Sequence, residues 1–171
     1  MTKPTLWKRL AAVVAAALLV LADQWCKALA EAHLAWGQTK RLLPGVIQLR
    51  YTRNTGIAFS AFGESRAAML AVSILTALAI GAALALLLAG KIRGAAPVIC
   101  TTLITAGGLG NLIDRLSPKH YVVDYLEFVF VRFAVFNFAD VCITVGVFAL
   151  ALWILFFSDK KKAPACAQVQ V

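Results

Sequence analysis

Four stretches of the chain are apolar over a length that suits a membrane helix, about 17–25 residues. They cover roughly residues 10–30, 67–90, 95–115 and 136–158. The first is interrupted by Asp23 and Lys27; the second has no charge; the third runs uncharged until Asp114-Arg115; the fourth carries only Asp140. The connections at about 31–66 and 116–135 read differently. In Val46–Arg53, Ile47, Leu49 and Tyr51 alternate with Gln48, Arg50 and Thr52, the period-2 signature of a strand. Asn54-Thr55-Gly56 reads as a turn, Ile57–Phe62 as resumed extended chain, and Tyr121–Phe133, rich in Val, Phe and Tyr, as a further strand. The expected architecture is one integral membrane domain over residues 1–171, an all-α membrane protein with four transmembrane helices. A small extramembrane β element rests on its outer face, with Trp36, Phe59, Phe62, Phe128 and Phe130 at the level of the lipid headgroups.

Composition supports this class. Hydrophobic residues make up 61% of the chain and charged residues 15%, with mean hydropathy +0.82. A soluble domain carries about 45–50% apolar and about 25% charged residues. The net charge of +9 is spread between the apolar segments, with no basic stripe, so anionic lipid headgroups and not nucleic acid are the expected counterpart. The N-terminal tail, the Lys91–Arg93 connection and Lys160-Lys161-Lys162 hold eight basic residues against one acid, Asp159. The positive-inside rule therefore places both termini in the cytoplasm. Lys3, Lys8 and Arg9 before Leu10–Ala22 also resemble a secretory signal peptide, with Val20-Leu21-Ala22 as a cleavage site. Retention is expected, because Asp23 and Lys27 follow in a polar motif.

Catalytic metal or thiol chemistry has little to work with. Cys26, Cys100, Cys142 and Cys166 show no ligand spacing, and His33 and His120 are the chain's imidazoles, so the cysteines read as small apolar filler. A Ser60–Lys27 dyad has nothing to fix the two together, and no Gly-x-Ser-x-Gly, His-Glu-x-x-His or phosphate-loop sequence occurs. Gly107-Gly108-Leu109-Gly110 lies within an apolar segment and reads as a close helix contact.

The carboxylates are more informative. At a rise of about 1.5 Å per residue, Asp23 lies about 21 Å outward from Arg9, Asp114 about 30 Å from Arg93, and Asp140 about 30 Å from Lys160. Antiparallel helices thus bring these acids to one half of the membrane, and Asp124, in the outer connection, returns to that level. Local pairs account for some of them: Asp23 with Lys27 four residues on, and Asp114 with Arg115 as a helix-end ion pair. Asp140, among Phe136, Phe138, Val141 and Ile143, has no such neighbour, and Asp124 sits among Val122, Val123, Tyr125 and Leu126. Two carboxyls able to meet in apolar surroundings share a proton, so one activates water while the other protonates a carbonyl oxygen. This chemistry needs no metal, cofactor or covalent intermediate. A small proton-coupled transporter is the alternative use of paired membrane aspartates. Against it, the acids gather at one membrane face, and the second segment offers no polar path.

Asp23-Gln24-x-x-Lys27, Asn54-x-Gly56-x-Ala58-Phe59-Ser60, Gly110-Asn111-x-x-Asp114-Arg115, Val123-Asp124-Tyr125 and Phe136-Asn137-x-Ala139-Asp140 occur in this order. Together, over about residues 8–157, they resemble bacterial lipoprotein signal peptidase, also called signal peptidase II. The resemblance implies an intramembrane aspartic endopeptidase of the bacterial inner membrane, its site near the periplasmic face. It cuts prolipoproteins just before a Cys that carries diacylglyceryl. It further implies Asp124 and Asp140 as the catalytic pair, no cofactor, a monomer among membrane lipids, and inhibition by the cyclic peptide globomycin. Asn54, Gly56, Gly108, Asn111, Asp114, Arg115, Asn137 and Ala139 are then expected to bind substrate or support the pair, with Asp23 and Lys27 structural.

Overall fold

The computed structural model describes residues 5–55 and 66–158. A long helix α1 (Leu6–His33) leads into strands β1 (Thr39–Leu43) and β2 (Ile47–Asn54). Helices α2 (Arg66–Leu88) and α3 (Ala95–Leu116) follow, then strand β3 (Val122–Phe128) and helix α4 (Phe138–Trp153), which continues into a π-helical turn at Ile154–Ser158. The protein is thus mostly helical, with one small three-stranded antiparallel sheet in the order β1-β2-β3. Among the described residues three helices are long and apolar enough to cross a membrane: Met69–Leu88, Ala95–Leu116 and Phe138–Phe157, with mean hydropathies of 2.5, 1.5 and 2.3. α1 is longer than these but carries Lys8, Arg9, Asp23, Lys27 and Glu31.

α3 is the hub, packing against α4, α1 and α2. Its glycines explain how. A Cβ on Gly107 would collide with the carbonyl oxygen of Ala139 in α4. One on Gly110 would stand 2.5 Å from Asp23 Oδ2 of α1, and one on Gly108 would stand 2.9 Å from Ile80 Cδ1 of α2. The glycine run therefore lets α4 close on α3 at backbone distance and makes room for side chains of α1 and α2, as small residues do in membrane bundles. Gly110→Ala should cost about 1–3 kcal/mol by overpacking. A lowered thermal midpoint in detergent would register it, and an unchanged midpoint would contradict this contact.

The segment boundaries moved where local chemistry intervenes. α4 starts at Phe138 because Asn137 caps it, its side chain accepting from Asp140 N–H at 2.9 Å. β3 ends at Phe128, short of the expected Phe133, because the chain turns back: Phe136 and Leu126 exchange two backbone hydrogen bonds of 2.8 Å. Asn54, expected in a turn, is the last residue of β2 and pairs with Val122. β1 was not expected at all; its five residues are all exposed and show no alternation, and pairing with β2 makes it a strand. The Ile57–Phe62 segment, Gly56 and Ser60 lie outside the described residues, as do Lys160-Lys161-Lys162 and Cys166. The core between sheet and bundle gathers Ala30, Leu34, Tyr51, Val123 and Tyr125.

Candidate active site

The polar residues that the sequence scatters between Asp23 and Asp140 converge where α1, α3, β3 and the start of α4 meet. Lys27 is 2% exposed, and its ammonium has three partners: Asp23 at 2.8 Å, Asp114 at 2.8 Å and the Asn111 side-chain oxygen at 3.0 Å. An ammonium has three donors, so this one is satisfied. Asp23 also accepts from Ala139 N–H at 2.9 Å, tying α1 to the first turn of α4. Asp114 also accepts from Gln24 at 3.0 Å and from Val123 N–H at 3.3 Å, tying α3 to β3. The expected Asp23–Lys27 pair is present but is one side of a network across three elements. For Asp114 the expectation needs correction: its ion partner is Lys27, not the adjacent Arg115, because that end of α3 faces α1. Gln24, to which the sequence reading gave no role, joins Asp114 to the Gly110 carbonyl at 3.1 Å.

From Lys27 the network runs on to the two aspartates. Lys27 can only donate, so the oxygen of the Asn111 amide must face it, and its nitrogen then points to Asp140 Oδ1 at 2.7 Å. Asn137 is fully buried and oriented by the same logic. Its oxygen caps Asp140 N–H, so its nitrogen faces Asp124 Oδ1 at 2.7 Å, Asn111 Oδ1 at 3.0 Å and the Val123 carbonyl at 3.2 Å. Asp140 completes the capping box by accepting from Asn137 N–H at 3.0 Å. Asn137 is therefore bonded to both aspartates, and Asn111 to Asn137 and Asp140. The second oxygen of Asp124 accepts from Asn54 at 2.9 Å.

The two carboxyls sit differently. Asp124 is 2% exposed; Asp140 is half-buried at the first turn of α4, where the helix end favours an anion. Burial pushes the Asp124 carboxyl up to about 7, with the charge of Asp140 adding to it; the amides of Asn54 and Asn137 and the charge of Lys27 act the other way. Arg115 is half-buried, donates to the Asn111 carbonyl at 3.5 Å, and lies within electrostatic reach of Asp140, Asp124 and Asp114. Ala139, 1% exposed, presents its carbonyl to Gly107; Gly108 faces α2, and Gly56 lies outside the described residues.

A helical membrane bundle capped by a small sheet, with a carboxylate pair at their junction, has the fold of a bacterial membrane enzyme. Two solved structures described by that phrase, both determined by the in meso method, superpose on the chain. The one at 2.3 Å resolution has a TM-score of 0.79 and 24% identity, covering 92% of this chain and 94% of its own. The other, at 1.9 Å, has a TM-score of 0.77 and 26% identity, covering 86% and 94%. The chain belongs to the signal peptidase (SPase) II family, whose model matches residues 15–156. Its relatives include the lipoprotein signal peptidase of Streptococcus thermophilus (strain CNRZ 1066), 39% identical over 145 residues, which are 85% of this chain and 92% of the relative. The lipoprotein signal peptidase of Streptococcus pyogenes serotype M6 is 37% identical over 140 residues, 82% and 90% of the two chains. The function expected from the five motifs is that of this family, and of the expected fold the mostly helical membrane architecture with a small antiparallel sheet is present; the chain is a membrane-embedded peptidase.

Proposed function

We propose that the chain removes signal peptides from prolipoproteins whose Cys already carries diacylglyceryl, cutting the peptide bond just before that Cys, with Asp124 and Asp140 as the catalytic pair. The observation that carries this reading is Asn137 standing between the two carboxyls, its side-chain amide donating to Asp124 and its backbone N–H to Asp140. Asp140 is the base. It is the more open of the two, and two N–H donors and the start of α4 stabilise its anion. Asp124, buried and proton-retaining near neutrality, is the acid.

Asp140 takes a proton from water as the water oxygen bonds to the scissile carbonyl carbon, and Asp124 gives its proton to the carbonyl oxygen. The resulting gem-diol then collapses. Asp140 passes its proton to the leaving nitrogen, one hydroxyl proton returns to Asp124, and the carbon–nitrogen bond breaks. Asn54, Asn111 and Asn137 hold the pair in register. The Arg115 guanidinium supplies a donor fork for a substrate backbone carbonyl, beside Ala139 at the start of α4. Asp114 supports Asn111 through Lys27, and Gly108 sets the α2–α3 contact. Asp23 and Lys27 are structural.

In this reading four helices cross the bacterial inner membrane. α1 does so despite its charges, because Asp23 and Lys27 are paired and buried. Both termini are cytoplasmic, and the sheet rests on the periplasmic surface. The enzyme works as a monomer, the diacylglyceryl chains stay among lipids beside the helices, and globomycin occupies the site. Incubating the purified protein in detergent with a diacylglyceryl-modified precursor tests the proposal. Conversion to a shorter, lipidated product, blocked by globomycin, is expected. No conversion under conditions where an authentic signal peptidase II works would contradict it and return attention to proton transport.

The acid role of Asp124 fixes a pH dependence. A carboxyl raised to about 7 is protonated below that pH and loses its proton above it. The catalytic acid is therefore lost as pH rises, and kcat/KM should fall tenfold per pH unit above about 7. Initial rates between pH 5 and 9 check this; a flat profile to pH 9 would remove Asp124 as the acid.

A further inference from the structure

A second polar cluster stands at the C-terminal end of β2, on the side of α1. Glu31, in the last turn of α1, accepts hydrogen bonds from the hydroxyls of Tyr51 at 3.2 Å and Tyr121 at 3.1 Å, and pairs with Lys119. Arg53 closes the cluster. Its Nε donates to the Tyr51 hydroxyl at 3.0 Å, and its guanidinium carbon lies 5.4, 5.7 and 5.1 Å from the ring centres of Trp36, Tyr51 and Tyr121. Trp36 and Tyr51 meet edge to face at 5.9 Å, so the exposed Arg53 cation lies in an open cage of three rings.

The next residue is Asn54, which donates to Asp124. Successive strand residues point to opposite faces, so Arg53 in the cage aims Asn54 the other way. The ladder alone holds this end weakly. The β2–β3 register shifts between Leu49 and Thr52, leaving three pairs beyond the irregularity: Thr52 with Asp124, Arg53 with Val123 and Asn54 with Val122. We propose that Arg53 is a positioning residue: set among the three rings and joined to Glu31 of α1 through the Tyr51 hydroxyl, it fixes the end of β2 and thereby aims the Asn54 amide at Asp124. This rests on the acid role of Asp124 above. Around Asp124 the charged groups are Asp140 from α4, Lys27 from α1 and Arg115 from α3; none belongs to the cage.

Steady-state kinetics and pH profiles of Arg53→Ala, Arg53→Lys, Asn54→Ala and the Arg53→Ala/Asn54→Ala double variant test it. Loss of one well-aimed donor should lower kcat about tenfold in Arg53→Ala, with KM little changed. The basic limb should move to higher pH, because an amide donor to the carboxylate is gone. Arg53→Lys keeps a cation in the cage and should recover most of the rate. The double variant should be no slower than Asn54→Ala, since both changes remove the same contact. An unmoved basic limb, or losses that multiply in the double variant, would overturn the proposal. If Arg53→Ala fails to fold, Tyr121→Phe, which deletes only a hydroxyl on Glu31, should shift the limb the same way, and an unmoved limb there overturns it equally. The two readings fail separately: a wild-type enzyme that cuts and an Asp124→Asn variant that does not would leave the acid role standing whatever the Arg53 series shows.

Discussion

Asp124→Asn and Asp140→Asn should each lower kcat by about 10²–10⁴-fold or more, the range that positioned acid–base groups supply. Each should still fold and bind globomycin. An amide at 140 can neither take the proton of water nor return it to the leaving nitrogen; one at 124 has no acidic proton to give. The geometry also sets the structural cost. Both oxygens of each carboxyl accept a hydrogen bond, from Asn54 and Asn137 at Asp124 and from Asn111 and Asn137 at Asp140. An asparagine keeps one such bond and turns its NH2 towards the other donor. A loss of about 1–3 kcal/mol of stability is therefore expected beside the kinetic effect. Single-turnover cleavage with a globomycin-binding control separates the two. Wild-type-like turnover in either variant would take that residue out of the mechanism.

The largest loss of stability should come from Lys27→Met. The change preserves the aliphatic stem but strips the counter-charge from Asp23 and Asp114, both under 10% exposed. Breaking a buried ion pair from one side costs about 3–5 kcal/mol, because the remaining charge is left uncompensated. Here two carboxylates are left, and Asn111 loses the donor that orients it. Yield and thermal midpoint in detergent should drop sharply. Adding Asp23→Asn and Asp114→Asn to Lys27→Met should recover part of the loss by removing the stranded charges. A triple variant no better than Lys27→Met would argue against the network. Asp23→Ala should likewise damage folding first, and a stable Asp23→Ala protein with a severe rate defect would refute the structural role given to Asp23.

Asp140 was readable in the sequence because nothing local explains it: an acid flanked by Phe136, Phe138, Val141 and Ile143 requires a partner from elsewhere. The Asp23–Lys27 pair was readable because four residues on a helix are neighbours. The rest of the Lys27 network was not, since Asp114 and Asn111 reach Lys27 only through the packing of α3 on α1, which a one-dimensional pattern does not encode. Adjacency in sequence misled at Asp114-Arg115 for the same reason: neighbouring residues on a helix diverge by about 100°. Asn137, known from its motif, proved to be a helix cap as well, and an Asn three residues before an Asp at a helix start is a signal that could have announced it. The cage around Arg53 was silent because Trp36, Tyr51 and Tyr121 come from three separate segments. β1 was silent because its five exposed residues carry no pattern.

The central claim is a cut at one peptide bond, made by Asp124 and Asp140 acting as a pair. Mass spectrometry of the products from a diacylglyceryl-modified precursor, run beside the unlipidated precursor, tests it most directly. A new N-terminus at the lipidated Cys is expected, absent with either Asp→Asn variant, with no cut in the unlipidated chain. A cut elsewhere, or one that survives in Asp140→Asn, would contradict it.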